Sequence, residues 1–276
     1  MKALIAICIA LIAAAGPGQS RAQGNLLVTP RRVVFDKGPN IRELNLANIG
    51  KDTARFVISM MEIRMKEDGS FEQITTPDSG QNFASGHLKI YPRSVAIPPG
   101  QSQVVKVQLV KGSELTAGEY RSHVYIRAVP REKPLGDTTN DQKQQDISVK
   151  LTAIFGISVP AIVRIGDYNG KVTISDPSFI MMDEKTPKLS LTLNRAGSMS
   201  TYGDITVDCV APDGTTTQVG VVRGIAVYTP NTKRHFEMDL DNTQHVNYRN
   251  CKLHIVYQTQ KDATAQDFSE AEVALH

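Results

Sequence analysis

The apolar positions of this chain fall in short runs rich in Val and Ile, bounded by Gly, Pro, Asn and Asp. Runs of that kind predict strands, and no long stretch carries the 3.6-residue period of an amphipathic helix. Leu26–Phe35 reads as a strand interrupted by Pro30. Proline cannot donate to a ladder, so this segment is expected at a sheet edge or switching between sheets. Arg42–Asn48 follows, with Leu44 and Leu46 on one face, then Arg55–Met65 and the turn Lys66–Gly69. Val95–Ile97 leads into the turn Pro98–Gln101, after which Val105, Val107 and Leu109 alternate. Glu119–Val129 is the next strand, and Tyr120 at its head stands where a tyrosine corner would form.

The polar stretch Arg131–Gln145 predicts an exposed loop. Beyond it, Ile147, Val149, Leu151, Ala153, Phe155, Ile157 and Val159 occupy every second position. Ordinary strands run to about 5–6 residues. A strand from Asp146 to Val159 must overhang its own core or offer its apolar row elsewhere. The expectation is that Phe155–Val159 face this protein's own core and that Ile147–Leu151 are on offer. Pro160 and Ala161–Gly166 read as a hinge. Strand-like segments then resume at Lys171–Ser175, Lys188–Asn194, Asp204–Val210, Thr217–Val222, Gly224–Tyr228, His235–Leu240 and Lys252–Tyr257. The pattern predicts an all-β chain of two β-sandwich domains in series, Gln23–Pro160 and Ala161–His276.

Charge and composition narrow the function. Met1-Lys2, an apolar run from Ala3 to Ala15 and the small-residue site Ser20-Arg21-Ala22 predict a secretory signal over residues 1–22. No later segment is apolar enough to cross a membrane, so a soluble exported protein is expected, without membrane insertion. A net charge of +3 gives no footprint for nucleic acid, which calls for clustered Lys and Arg. After the signal, Cys209 and Cys251 remain; in an exported chain they suggest one disulfide, two separate buried thiols being the alternative. Histidines 87, 123, 235, 245 and 254 show no metal-ligand spacing, and no catalytic or phosphate-binding motif is present. Asp239-Leu240-Asp241-Asn242 reads as a strand end and turn, because a calcium loop also needs a glycine and a distal glutamate. No metal, no cofactor and no enzymatic activity are expected.

Val28–Phe35, Leu46-Ala47-Asn48-Ile49-Gly50, Ile90–Ser94, Ile97–Gln103, Gly118–Arg121 and the long alternating strand come in an ordered series. In that series the chain resembles the PapD-like periplasmic pilus chaperones over roughly residues 25–165. The long Arg131–Gln145 loop is similar to that of their divergent long-loop branch. The resemblance implies a periplasmic, non-enzymatic chaperone of two immunoglobulin-like domains. Its partners would be a pilus subunit, completed by the chaperone's long strand, and an outer-membrane usher. Ile147, Val149, Leu151 and Ala153 match the donor row. Arg32 matches the family's strand-A arginine, which grips the subunit's C-terminal carboxylate. The family's second cleft base is a lysine, but here that slot holds Gly156 or Phe155, leaving Arg164 or Arg31 as substitutes. A structural pilus subunit or adhesin, or a periplasmic binding module, is the alternative; the absence of tryptophan disfavours a carbohydrate-binding module. A strand open for donation also implies self-pairing of the free protein unless the edge is otherwise protected.

Overall fold

The computed structural model describes residues 26–130, 154–167, 169–183, 185–242, 246–259 and 268–274. The signal segment 1–22 and the loop Arg131–Gln145 lie outside them.

The strands of the first half are β1 (Leu26–Thr29), β2 (Val33–Phe35), β3 (Ile41–Asn48), β4 (Ala54–Met61), β5 (Ile63–Met65) and β6 (Phe71–Gln73). They continue with β7 (Leu88–Tyr91), β8 (Ser94–Ile97), β9 (Ser102–Leu109), β10 (Gly118–Val129) and β11 (Gly156–Ile165). A four-stranded sheet, β1-β3-β9-β7, packs on a five-stranded one, β2-β11-β10-β4-β8, and β5 and β6 form a separate hairpin. The alternation dictates this packing. Leu44, Leu46, Val105 and Val107 from one sheet are buried against Phe56, Ile58, Val124 and Ile126 from the other.

Pro30 is where the chain changes sheets: β1 pairs antiparallel with β3, whereas β2 pairs parallel with β11. Asn48 closes the turn after β3. Its side chain donates to the carbonyls of Ile97 and Asp52, each at 2.8 Å, and accepts from Gly50 N at 2.9 Å. Tyr120 Oη reaches back to Thr116, 3.0 Å from its hydroxyl and 3.4 Å from its carbonyl oxygen, which is the bond a tyrosine corner makes.

The second half contains β12 (Lys171–Met182), β13 (Thr186–Ala196), β14 (Thr201–Val210), β15 (Thr216–Val227), β16 (Lys233–Asp239), β17 (Lys252–Thr259) and β18 (Phe268–Ala274). Sheets β12-β13-β16 and β15-β14-β17-β18 enclose a second core that includes Leu189, Leu193, Ile205, Val207, Leu253 and Ile255. The chain's last strand pairs with β17. Cys209 on β14 is bonded to Cys251, just before β17, with 5.7 Å between their Cα atoms. The Asp239–Asn242 segment is a strand end and turn, with Leu240 N bonded to Pro187 O.

The hinge expected at Pro160–Gly166 is a strand instead. β11 runs through Pro160 to Ile165, paired with β10 throughout, and Ala161 and Val163 are buried in the first core. The first sandwich therefore extends past the expected boundary at Pro160. Proline was a misleading signal because its missing N–H costs nothing on the side of a strand that needs no donor. Val163→Ala should accordingly lower the unfolding free energy of the first domain by about 1–3 kcal/mol, measured in urea, where a linker residue would be neutral.

Candidate functional site: an open strand edge beside the domain contact

Two features meet on β11. The first is an unpaired edge. Ala128 N donates to Phe155 O at 3.0 Å, so the ladder with β10 continues just upstream of β11 itself. Backbone groups of a strand point alternately to its two neighbours. The odd-numbered residues from Phe155 onward thus face β10, while the amides and carbonyls of Gly156 and Ser158 face the other way. On that side β2 covers only Ala161–Val163. Among the described residues, no strand flanks Gly156–Pro160 there. Pro160 points its missing N–H to the same side and marks where the open stretch ends.

The second feature is the apolar row leaving its core. Val159 is 2% exposed, Ile157 is half-buried, and Phe155 is 47% exposed, as is its neighbour Ile154. The expectation that Phe155 faces this protein's own core is corrected: the sandwich ends before it. The donor-row residues Ile147, Val149, Leu151 and Ala153 lie outside the described residues. Across β11 lies Tyr125. A Cβ built on Gly156 would stand 2.4–2.6 Å from its ring and hydroxyl, so glycine at this position makes room for the tyrosine. No lysine could occupy the slot without displacing that ring.

Arg32, picked from its motif, lies where the domains meet. Its guanidinium carbon is 3.8 Å from the centroid of the Tyr202 ring on β14, a cation–π contact made by a half-buried side chain. Stacking fixes the plane of a guanidinium, whose bonding groups all lie in that plane. Arg31 is exposed.

Arg164 is not an available anchor, which corrects that expectation. Its Nε donates to Glu119 Oε2 at 3.0 Å and its Nη2 to the carbonyl of Ser200 at 2.8 Å, with the side chains 7% and 0% exposed. Glu119 also accepts from Ser200 N at 3.0 Å, from Ser200 Oγ, and from Thr229 Oγ1 at 3.3 Å. One first-domain carboxylate is thereby caged by β11 and two segments of the second domain. Sequence reading missed this cage because its members are far apart in the chain. The available signal was Glu119, Arg121 and His123 on alternate positions of a strand whose opposite row is core.

No family model matches the sequence, and no curated protein matches it. Solved structures do. A chain of the CsuC–CsuE chaperone–tip adhesion subunit pre-assembly complex of Acinetobacter baumannii is 12% identical, with 89% of this chain and 97% of that one covered and a TM-score of 0.46. The YadV chaperone is 13% identical, with 90% and 100% covered and a TM-score of 0.44. The CupB2 chaperone of Pseudomonas aeruginosa is 13% identical, with the same coverages and a TM-score of 0.41. Superpositions this loose carry no assignment of function, which rests on the residues above.

Arg164→Met would leave the Glu119 carboxylate buried without its cation. Loss of one partner from a buried pair costs about 3–5 kcal/mol, so the midpoint of urea unfolding should fall sharply. An unchanged midpoint would show that Ser200 and Thr229 suffice.

Proposed function

We propose that this protein is a periplasmic chaperone that holds pilus subunits by strand donation and passes them to an outer-membrane usher. The observation that carries the reading is the exit of the Phe155–Ile157–Val159 row from its own sandwich beside an edge that no described strand covers. An exposed edge with large apolar side chains is a hazard for a free protein and an asset for one that completes another chain's sheet. Continued upstream, the same alternation supplies Ile147, Val149, Leu151 and Ala153. Each aliphatic side chain buried in a partner contributes about 1.5–3 kcal/mol of transfer free energy. Three or four of them, with ladder hydrogen bonds, suffice to hold a subunit against the cost of association.

Arg32 is the anchor for the subunit's C-terminal carboxylate, a group that a guanidinium binds through two parallel hydrogen bonds. It does so without a lysine from β11. No nucleotide or other cofactor enters this mechanism.

The test is co-expression with a pilus subunit in the periplasm. Val149→Asp with Leu151→Asp should abolish co-purification of the subunit while thermal unfolding of the chaperone stays as it was. Arg32→Ala should weaken retention at least tenfold. Full retention by the double variant would rule out donation through this row.

A further inference from the structure

The contact between the domains contains buried polar groups that lack partners. His123 on β10 is 2% exposed, and its Nδ1 has no hydrogen-bond partner. It sits in a ring cluster with centroids 6.0 Å from Phe71, on β6, and 6.3 Å from Tyr228, just after β15 in the second domain. Arg121, two residues away on the same face, is 1% exposed with Nε and Nη1 unpartnered. Its guanidinium lies 4.6 Å from the centroid of Tyr228, and Nη2 makes one long bond of 3.4 Å to Thr229 O. Glu62 Oε2 is buried without a partner as well. Groups like these are stable in water and costly when sealed away from it.

The β5–β6 hairpin straps this cluster shut. Asn231 Nδ2 donates to Met65 O at 2.7 Å, and His235 N donates to Glu67 O at 2.6 Å. Gly69, at the turn with φ +81°, lies under the Arg234 guanidinium, which would be 2.6–2.9 Å from any Cβ placed there.

We infer that the domain contact is an acid-released hinge with His123 as its trigger: protonated His123 cannot stay between Phe71 and Tyr228, so the strap and the second domain swing off the first. Burial first, and then the neighbouring Arg121 charge, push the imidazole down from 6.5 to about 3. The ionisable groups around it are Glu119 and Arg121 on its own strand, Glu62 ahead of β5, Arg32 ahead of β2, and Tyr228, Tyr202 and Arg234 on the facing second domain. None of the carboxylates offsets the two causes that disfavour the imidazolium. His235 Nε2 lies 3.6 Å from Glu67 on the exposed side of the strap.

The sign follows from the depressed value. The closed contact is fully stable above the ordinary histidine range and loses stability as pH falls from 6.5 towards 3. At pH 5 the open-to-closed ratio should be about 25-fold higher than at pH 7.

The experiment is small-angle scattering of the mature protein between pH 7.5 and 4 (test conditions, spanning roughly the histidine range), alongside NMR titration of its histidines. The radius of gyration should grow on acidification while both sandwiches stay folded. His123→Phe, which fills the same slot without titrating, should stay compact over that range. The inference is overturned if this variant expands at the same pH as the parent. It is equally overturned if His123 in the parent titrates in the ordinary range with no change in dimensions, a readout that holds even if the variant fails to fold. Neither arm involves a pilus subunit, so the outcome is separate from that of strand donation.

Discussion

The Glu119 carboxylate holds the two halves of this molecule in one arrangement. It is buried on β10, neutralised by Arg164 from the adjacent strand, and bonded to Ser200 and Thr229 of the second domain. Arg164 supplies its countercharge, and Ser200 and Thr229 of the second domain meet it in register as further donors to a buried carboxylate. Everything placed by the domain angle follows. Tyr202, two residues after Ser200, comes to lie over Arg32, and Tyr228, next to Thr229, comes to lie over Arg121. The domain contact thus carries two arginines of the first domain stacked on two tyrosines of the second.

The same contact is unevenly satisfied. Around Glu119 nearly every polar atom has a partner, whereas a few ångströms along β10 Arg121 and His123 have several without one. Tight bonding at one end of the row and incomplete bonding at the other is how a contact can be specific in geometry without being permanent. The β5–β6 hairpin closes over the weaker end.

Much of the fold was legible because one face of each strand is dry and the other wet. Leu44 and Leu46, or Val105 and Val107, report burial by alternation alone, and each is fully buried. Pro30 marked the change of sheets through its missing donor. The same letter misled at Pro160, because sequence does not say which side of a strand will be asked for a hydrogen bond. Strands as short as β5 and β6 are too brief to show a period, although the turn between them was plain. Arg32 was singled out through its neighbours in a motif. The cage around Glu119 could not be: Thr229 lies 110 positions away from it, and serine and threonine are ordinary surface residues until a fold brings a carboxylate to them. Arg164 looked available for the same reason, since its sequence neighbours do not reveal that its fork is already filled.

Pro160 has a further consequence. It divides β11 into a length kept by the molecule, where β2 is already zipped on, and a length whose other flank no described strand covers. A guest segment laid along that flank would meet a residue with no amide hydrogen to give, and beyond it a seat already taken. If the strand is donated as we propose, this proline and the occupied seat beyond it set how far a guest segment can run, independently of what its side chains are.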